Sequence, residues 1–256
     1  MWCKEFRDAL WRVSIFVAIL IGLLIVIVNA FPLFEPLMRG LYSQDTMADL
    51  LGIPPEQLLD FGIFARGEFY VLDQWQGKTL GQLIPIFVLL VAFPIFSREQ
   101  EKRTIYFLLS GWSRTSVYWV KYGTGFLMIA GSVVLLNLLA PLFMNIAGYP
   151  TPYSLIILAM GQQLIAAWFL YSLFLLVSIR FSDQVRVMVA GGMLIIVLPF
   201  LSFVPALSWL NIYPYILGVG LYDRGGMDLG YSIGLSMVAP VCSLVGARYF
   251  ATKEVE

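Results

Sequence analysis

Stretches free of Asp, Glu, Lys and Arg alternate along this chain with short charged segments. Five are long, covering residues 13–34, 79–97, 122–179, 187–222 and 229–247. A membrane-crossing helix needs about 20 consecutive apolar residues, so each can cross at least once. The third is long enough for two crossings, and Gly148-Tyr149-Pro150-Thr151-Pro152 in its middle is a turn signal. The fourth is broken by Pro199, Pro205 and Pro214 and reads as one span followed by a membrane-hugging segment. The pattern predicts an all-α integral membrane protein with six transmembrane helices over residues 13–256.

Three flanking elements complete the expected architecture. Within residues 1–12, Trp2, Phe6 and Leu10 recur at helical spacing, with Lys4, Glu5, Asp8 and Arg12 around the remainder. That describes an N-terminal interfacial helix, or a frayed lead-in to span one. The external connection, residues 35–78, is too long for a structureless loop and is expected to be a small helical cap, with helices starting near Thr46 and Pro54. Residues 98–121 hold a charged head, an apolar middle and a basic tail. There Ile105, Leu108 and Leu109 fall on one helical face, which can lie on a membrane or dock into a partner.

Composition sharpens the class. Residues are 60% hydrophobic, 15% aromatic and only 12% charged, against about 25% charge in soluble domains. Both a soluble globule and a disordered chain are therefore excluded. Sixteen basic residues balance sixteen acids, and their placement is what informs. With both termini inside, only Arg39, Arg66, Lys78 and Arg224 lie outside, so the bias toward basic cytoplasmic loops agrees with an even span count. A cleaved signal peptide is the less favoured reading of the N-terminus, because the first apolar run exceeds a normal signal core. The charge pattern and short loops suit a multi-pass protein of a bacterial or archaeal plasma membrane.

Candidate chemistry is sparse. There is no histidine, which removes the usual neutral-pH acid/base group and the commonest metal ligand. Cys3 and Cys242 have no metal spacing and are expected on the inner side and within a span. No catalytic or metal site is expected, and no nucleic-acid partner. The spans as drawn contain no ionisable group, which argues against proton antiport. Phe87, Phe93 and Phe96 in span two, and Asn137 among the buried polar groups, are candidates for a substrate path. Packing phenylalanines and helix-helix amide contacts are the other reading. Pro85 and Pro94 are expected to kink span two, and residues 211–221 to re-enter the outer leaflet or form an ordinary surface loop.

The segment 98–121 resembles the corresponding loop of permease subunits of ABC transporters of the type-2 exporter family, which typically reads E-x-E-x-G-T, then L-L, then a Ser-Arg pair and a later Lys. Glu99 and Glu101 match the acidic pair, Thr104 the threonine, Leu108 and Leu109 the leucines, Ser113 and Arg114 the Ser-Arg pair, and Lys121 the lysine. Arg103 stands where glycine is usual, and Trp112 where a proline often occurs. The resemblance implies that the loop forms a cytosolic coupling helix seated on an ATP-hydrolysing subunit through Glu99, Glu101, Thr104, Leu108, Leu109, Ser113 and Arg114. It further implies a permease dimer in contact with membrane lipid, a homodimer or a pair of two different permeases, with two copies of the ATPase. The chain has no GxxxxGK[ST] loop, so ATP and Mg are expected only in the partner. The implied activity is export of hydrophobic or amphiphilic cargo such as peptides, drugs or lipid-like compounds. A non-transporting membrane anchor that recruits a cytosolic protein is the alternative.

Overall fold

The computed structural model describes residues 2–41, 70–224 and 226–253. Its elements are α1 (Trp2–Leu41), α2 (Val71–Glu101), α3 (Ile105–Gly111), α4 (Arg114–Ile146), α5 (Ser154–Arg180), α6 (Gln184–Phe200), α7 (Tyr213–Ile216), α8 (Val219–Arg224) and α9 (Leu229–Thr252). Two 3-10 turns, Leu201–Phe203 and Pro205–Leu210, follow α6. No strand occurs among the described residues. Six helices, α1, α2, α4, α5, α6 and α9, are long and apolar enough to cross a membrane, matching the expected number.

Local chemistry sets most boundaries. Ser113, Asp183 and Asp228 cap α4, α6 and α9, each side chain accepting a hydrogen bond from a first-turn backbone N–H. The expected turn between spans three and four forms around Gly148, whose φ of +89° lies in the left-handed region. Asn145 fastens it by accepting from Thr151 N–H at 3.0 Å and donating to Thr151 C=O at 3.0 Å.

Two expectations change. Residues 2–12 continue into span one as a single 40-residue helix, with no separate interfacial element. At about 1.5 Å rise per residue, α1 exceeds a bilayer's hydrocarbon core. Residues 70–78, assigned from sequence to the external connection, are instead the opening turns of α2, and Val71–Gly81 is a π-helix. Polar Asp73, Gln74, Gln76 and Lys78 end the apolar run early, but Asp73, Gln74 and Lys78 partner one another within the helix and the Gln76 amide N–H groups find tertiary acceptors. Asp73 pairs with Lys78 at 2.5 Å, and Gln76 donates to Asn137 Oδ1 at 2.6 Å. The expected cap helices near Thr46 and Pro54 lie outside the described residues.

Helices α2 and α5 form the centre of the bundle, 61% buried over their apolar windows, whereas α6 is only 11% buried. Helix α9 packs on α5, α1 on α4, and α6 on α2. Close approach depends on small residues. A Cβ on Gly125 of α4 would stand 2.3 Å from Tyr171 Oη of α5, and one on Gly246 of α9 would stand 2.7 Å from Tyr118 Oη of α4. Pro94 lacks the N–H that Leu90 C=O would accept, and beside it Ser178 of α5 donates to Phe93 C=O at 2.9 Å. Segment 211–221 folds back on the bundle, burying Ile212, Tyr215, Ile216 and Leu221 and setting Ile216 C=O near Gly81.

Candidate functional site

Six helix ends meet where the segment 98–121 turns the chain: the N-termini of α1, α4 and α6 and the C-termini of α2, α5 and α9. Consecutive residues Glu99, Gln100 and Glu101 at the end of α2 each engage a different helix. Glu99 reaches α4, where its Oε2 lies 2.9 Å from Lys121 Nζ. Gln100 Oε1 accepts from Lys253 Nζ, just beyond α9, at 3.0 Å. Glu101 Oε2 accepts from the side-chain amide of Gln184 at 2.7 Å and its backbone N–H at 3.3 Å, placing a carboxylate at the N-terminus of α6.

Lys121 is the centre of this cradle. Its side chain is 1% exposed and also lies 2.8 Å from Glu5 Oε2 of α1, so one ammonium joins three helices. It stands 5.8 Å from the Phe96 ring centre, a cation-π contact, and Phe96 is enclosed by Tyr118 and Phe250. Lys253 donates to Ile179 C=O at 2.7 Å, where a cation suits the C-terminal end of α5. Arg114 donates to the Lys253 carbonyl. The C-terminus of α9 is thus tied to α2, α4 and α5.

Helix α3 sits on this cradle. The turn before it places Arg103 at a φ of +55°, the left-handed conformation that glycine adopts most readily. That explains in backbone terms why a glycine suits this position. Thr104 precedes α3, and Ser113 accepts from Ser116 N–H at 3.2 Å as the cap of α4. Ile105 is fully buried, and Leu108 and Leu109 pack against the core. Part of the apolar face expected to meet a membrane or partner is therefore used within the chain, while Leu108 and Leu109 stay partly exposed. Its outward replacement is Phe107, 83% exposed, with Trp112, 53% exposed.

The expected path residues are largely enclosed. Phe96 and Asn137 have no exposed surface. Phe87 is buried and stacks on Phe16 at 4.9 Å, and Phe93 is partly buried. Asn137 belongs to an amide cluster, donating to Gln163 Oε1 at 2.9 Å while accepting from Gln76. Within one chain Phe96 and Asn137 serve packing, whereas Phe87 and Phe93 border an apolar groove between α1 and α2.

Sequence reasoning missed Glu5, Gln100, Gln184 and Lys253 as members of the cradle. The available signal was positional: each lies just outside an apolar run, at the same end of the bundle. Cys242 lies within α9, while the side chain of Cys3 is outside the described residues. No group of three or more potential metal-ligating side chains occurs among the described residues. Comparison with known proteins finds no matching family model, and no curated protein or solved structure that matches significantly.

Proposed function

We propose that this chain crosses a bacterial or archaeal plasma membrane six times, with both termini cytoplasmic, as the permease subunit of an ABC exporter. Two copies, or this chain and a second permease, would work with two copies of a separate ATPase that holds ATP and Mg. The cargo would be hydrophobic or amphiphilic: a peptide, a drug or a lipid-like compound. The chain itself would perform no catalysis.

The observation that supports this reading is the attachment of α3. The short rod bears exposed Phe107 and Trp112 outward, while Glu99, Gln100 and Glu101 link its base to α4, α9 and α6. A partner seated on the rod would therefore push on several long helices at once, which is what rigid-body coupling requires. The residues that resemble the type-2 exporter loop lie in this one segment, and the basic bias of this end favours a cytoplasmic location.

Affinity purification of the tagged chain in mild detergent, with mass spectrometry and an ATPase assay of the eluate, tests the reading. Wild type is expected to bring down an ATP-binding protein with ATPase activity. Phe107→Ser with Trp112→Ser should lose that protein, and Glu101→Gln with Arg114→Gln should retain it with weakened coupling. Recovery of a partner without ATPase activity would favour the anchor alternative. Recovery of the chain alone under several gentle conditions would overturn the exporter reading.

A further inference from the structure

Two adjoining cavities lie at the charged end, one with charged walls among α1, α2 and α4 and one apolar between α1 and α2. The first, about 180 Å³, is lined by Arg12, Arg98, Lys102 and Lys121 together with Glu5 and Glu99. Among the described residues that line it, four cations stand against two carboxylates, a formal surplus of two positive charges. The second, about 250 Å³, is an apolar groove whose walls include Trp11, Ile15 and Ile19 of α1 and Phe87 and Leu90 of α2. Ala9, Arg12 and Val91 line both, so the groove begins where the polar cavity ends.

We propose that this site binds one anionic glycerophospholipid of the phosphatidylglycerol class, with its phosphate in the polar cavity and an acyl chain along the groove. The surplus positive charge suits a singly charged phosphodiester. The polar cavity has several times a water molecule's share of liquid volume, about 30 Å³, so it has room for a headgroup rather than a lone ion. Glu5 Oε1 is buried without a hydrogen-bond partner, an acceptor that a glycerol hydroxyl would satisfy. Choline carries no such donor, and its fixed charge would cancel the attraction. Trp11, Ile15 and Ile19 follow one another at four-residue spacing, so they line a single stripe running about 12 Å along α1. That stripe is parallel to the direction an acyl chain takes in a bilayer. The proposal does not depend on transport.

Brominated-chain lipids test it, because Trp11 in the groove reports an adjacent acyl chain by fluorescence quenching. The full-length chain is reconstituted in phosphatidylcholine vesicles containing small fractions of brominated phosphatidylglycerol or brominated phosphatidylcholine. The Trp11 signal is the difference between wild type and Trp11→Phe. Brominated phosphatidylglycerol should quench it at a mole fraction at least five-fold lower than brominated phosphatidylcholine, and Arg98→Gln with Lys102→Gln should remove that preference. Inorganic phosphate at millimolar concentration should leave quenching unchanged. Equal quenching by both lipids, displacement by free phosphate, or an unaltered preference in a folded double variant would each overturn the proposal. If the double variant does not fold, the wild-type lipid comparison and phosphate competition still decide.

Discussion

Lys121 of α4 and Glu99 of α2 form an ion pair 2.9 Å apart, with the lysine side chain only 1% exposed. Glu5 of α1 approaches the same ammonium at 2.8 Å. A charge in that position is tolerated because two carboxylates replace the water it has lost.

Replacing Lys121 with Met should leave two carboxylates facing each other without their cation. The expected cost is about 3–5 kcal/mol, as for other broken buried pairs, seen as a lower unfolding temperature in detergent. Adding Glu5→Gln and Glu99→Gln should recover much of it. A single K121M variant as stable as wild type would show that the pair contributes nothing to the junction of these helices.

Arg103 is, among the described residues, the non-glycine residue with a positive φ. Holding an L-residue in that conformation costs about 1–2 kcal/mol, part of which glycine returns through its more flexible unfolded chain. Arg103→Gly should therefore raise stability by up to about 1 kcal/mol. Arg103→Val should lower it, and thermal unfolding of both variants measures the difference.

Gly125 leaves no room for a methyl group: its Cβ would meet Tyr171 Oη at 2.3 Å and Ile95 Cδ1 at 2.8 Å. Gly125→Ala should cost about 1–3 kcal/mol through overpacking. Tyr171→Phe removes the nearer atom, so the double variant should be less damaged than the two single losses summed, a coupling that a double-mutant cycle detects.

Phe107 and Trp112 should behave in the opposite way to Gly125. Both are exposed on or beside α3, so Phe107→Ser and Trp112→Ser should each change stability by no more than about 0.5 kcal/mol. Under the proposed function they should nevertheless lose the ATPase partner on purification. A large fall in unfolding temperature would mean that these side chains serve the chain's own packing.

The amide cluster gives a fifth contrast. Asn137 is enclosed and bonds both Gln76 and Gln163, so Asn137→Ala should leave Gln163 Oε1 without this donor, while Gln76 keeps Ile156 C=O, at a cost of about 1–3 kcal/mol. Unchanged stability, measured by thermal unfolding, would return Asn137 to the list of groups available to a ligand.

Much of the fold was legible in one dimension because apolar run length is a local property. Six helices long and apolar enough to cross a membrane, the turn at Gly148 and the unusual segment 98–121 all follow from where charges and prolines stand. The start of α2 was not legible, because Asp73, Gln76 and Lys78 look like loop residues until Asn137 and Ile156 are seen to receive Gln76. Which side chains of α3 are most exposed was not legible for a related reason. Leu108 and Leu109 are an apolar pair in any helix, but only the position of the cradle decides that they face inward and Phe107 outward.

What the sequence determined by itself was the solvent the chain prefers, the number of helices long enough to cross it and the segment richest in candidate chemistry. Hydrophobic length and charge placement act along the chain, so they can be read without a fold. Only the tertiary structure decided that Glu5, Glu99, Lys121, Gln184 and Lys253 share one end of the bundle, and that a charged cavity opens there onto an apolar groove. Such meetings join residues from one end of the chain to the other. Their energies exist only once desolvated charges and close-packed helices are brought within a few ångströms.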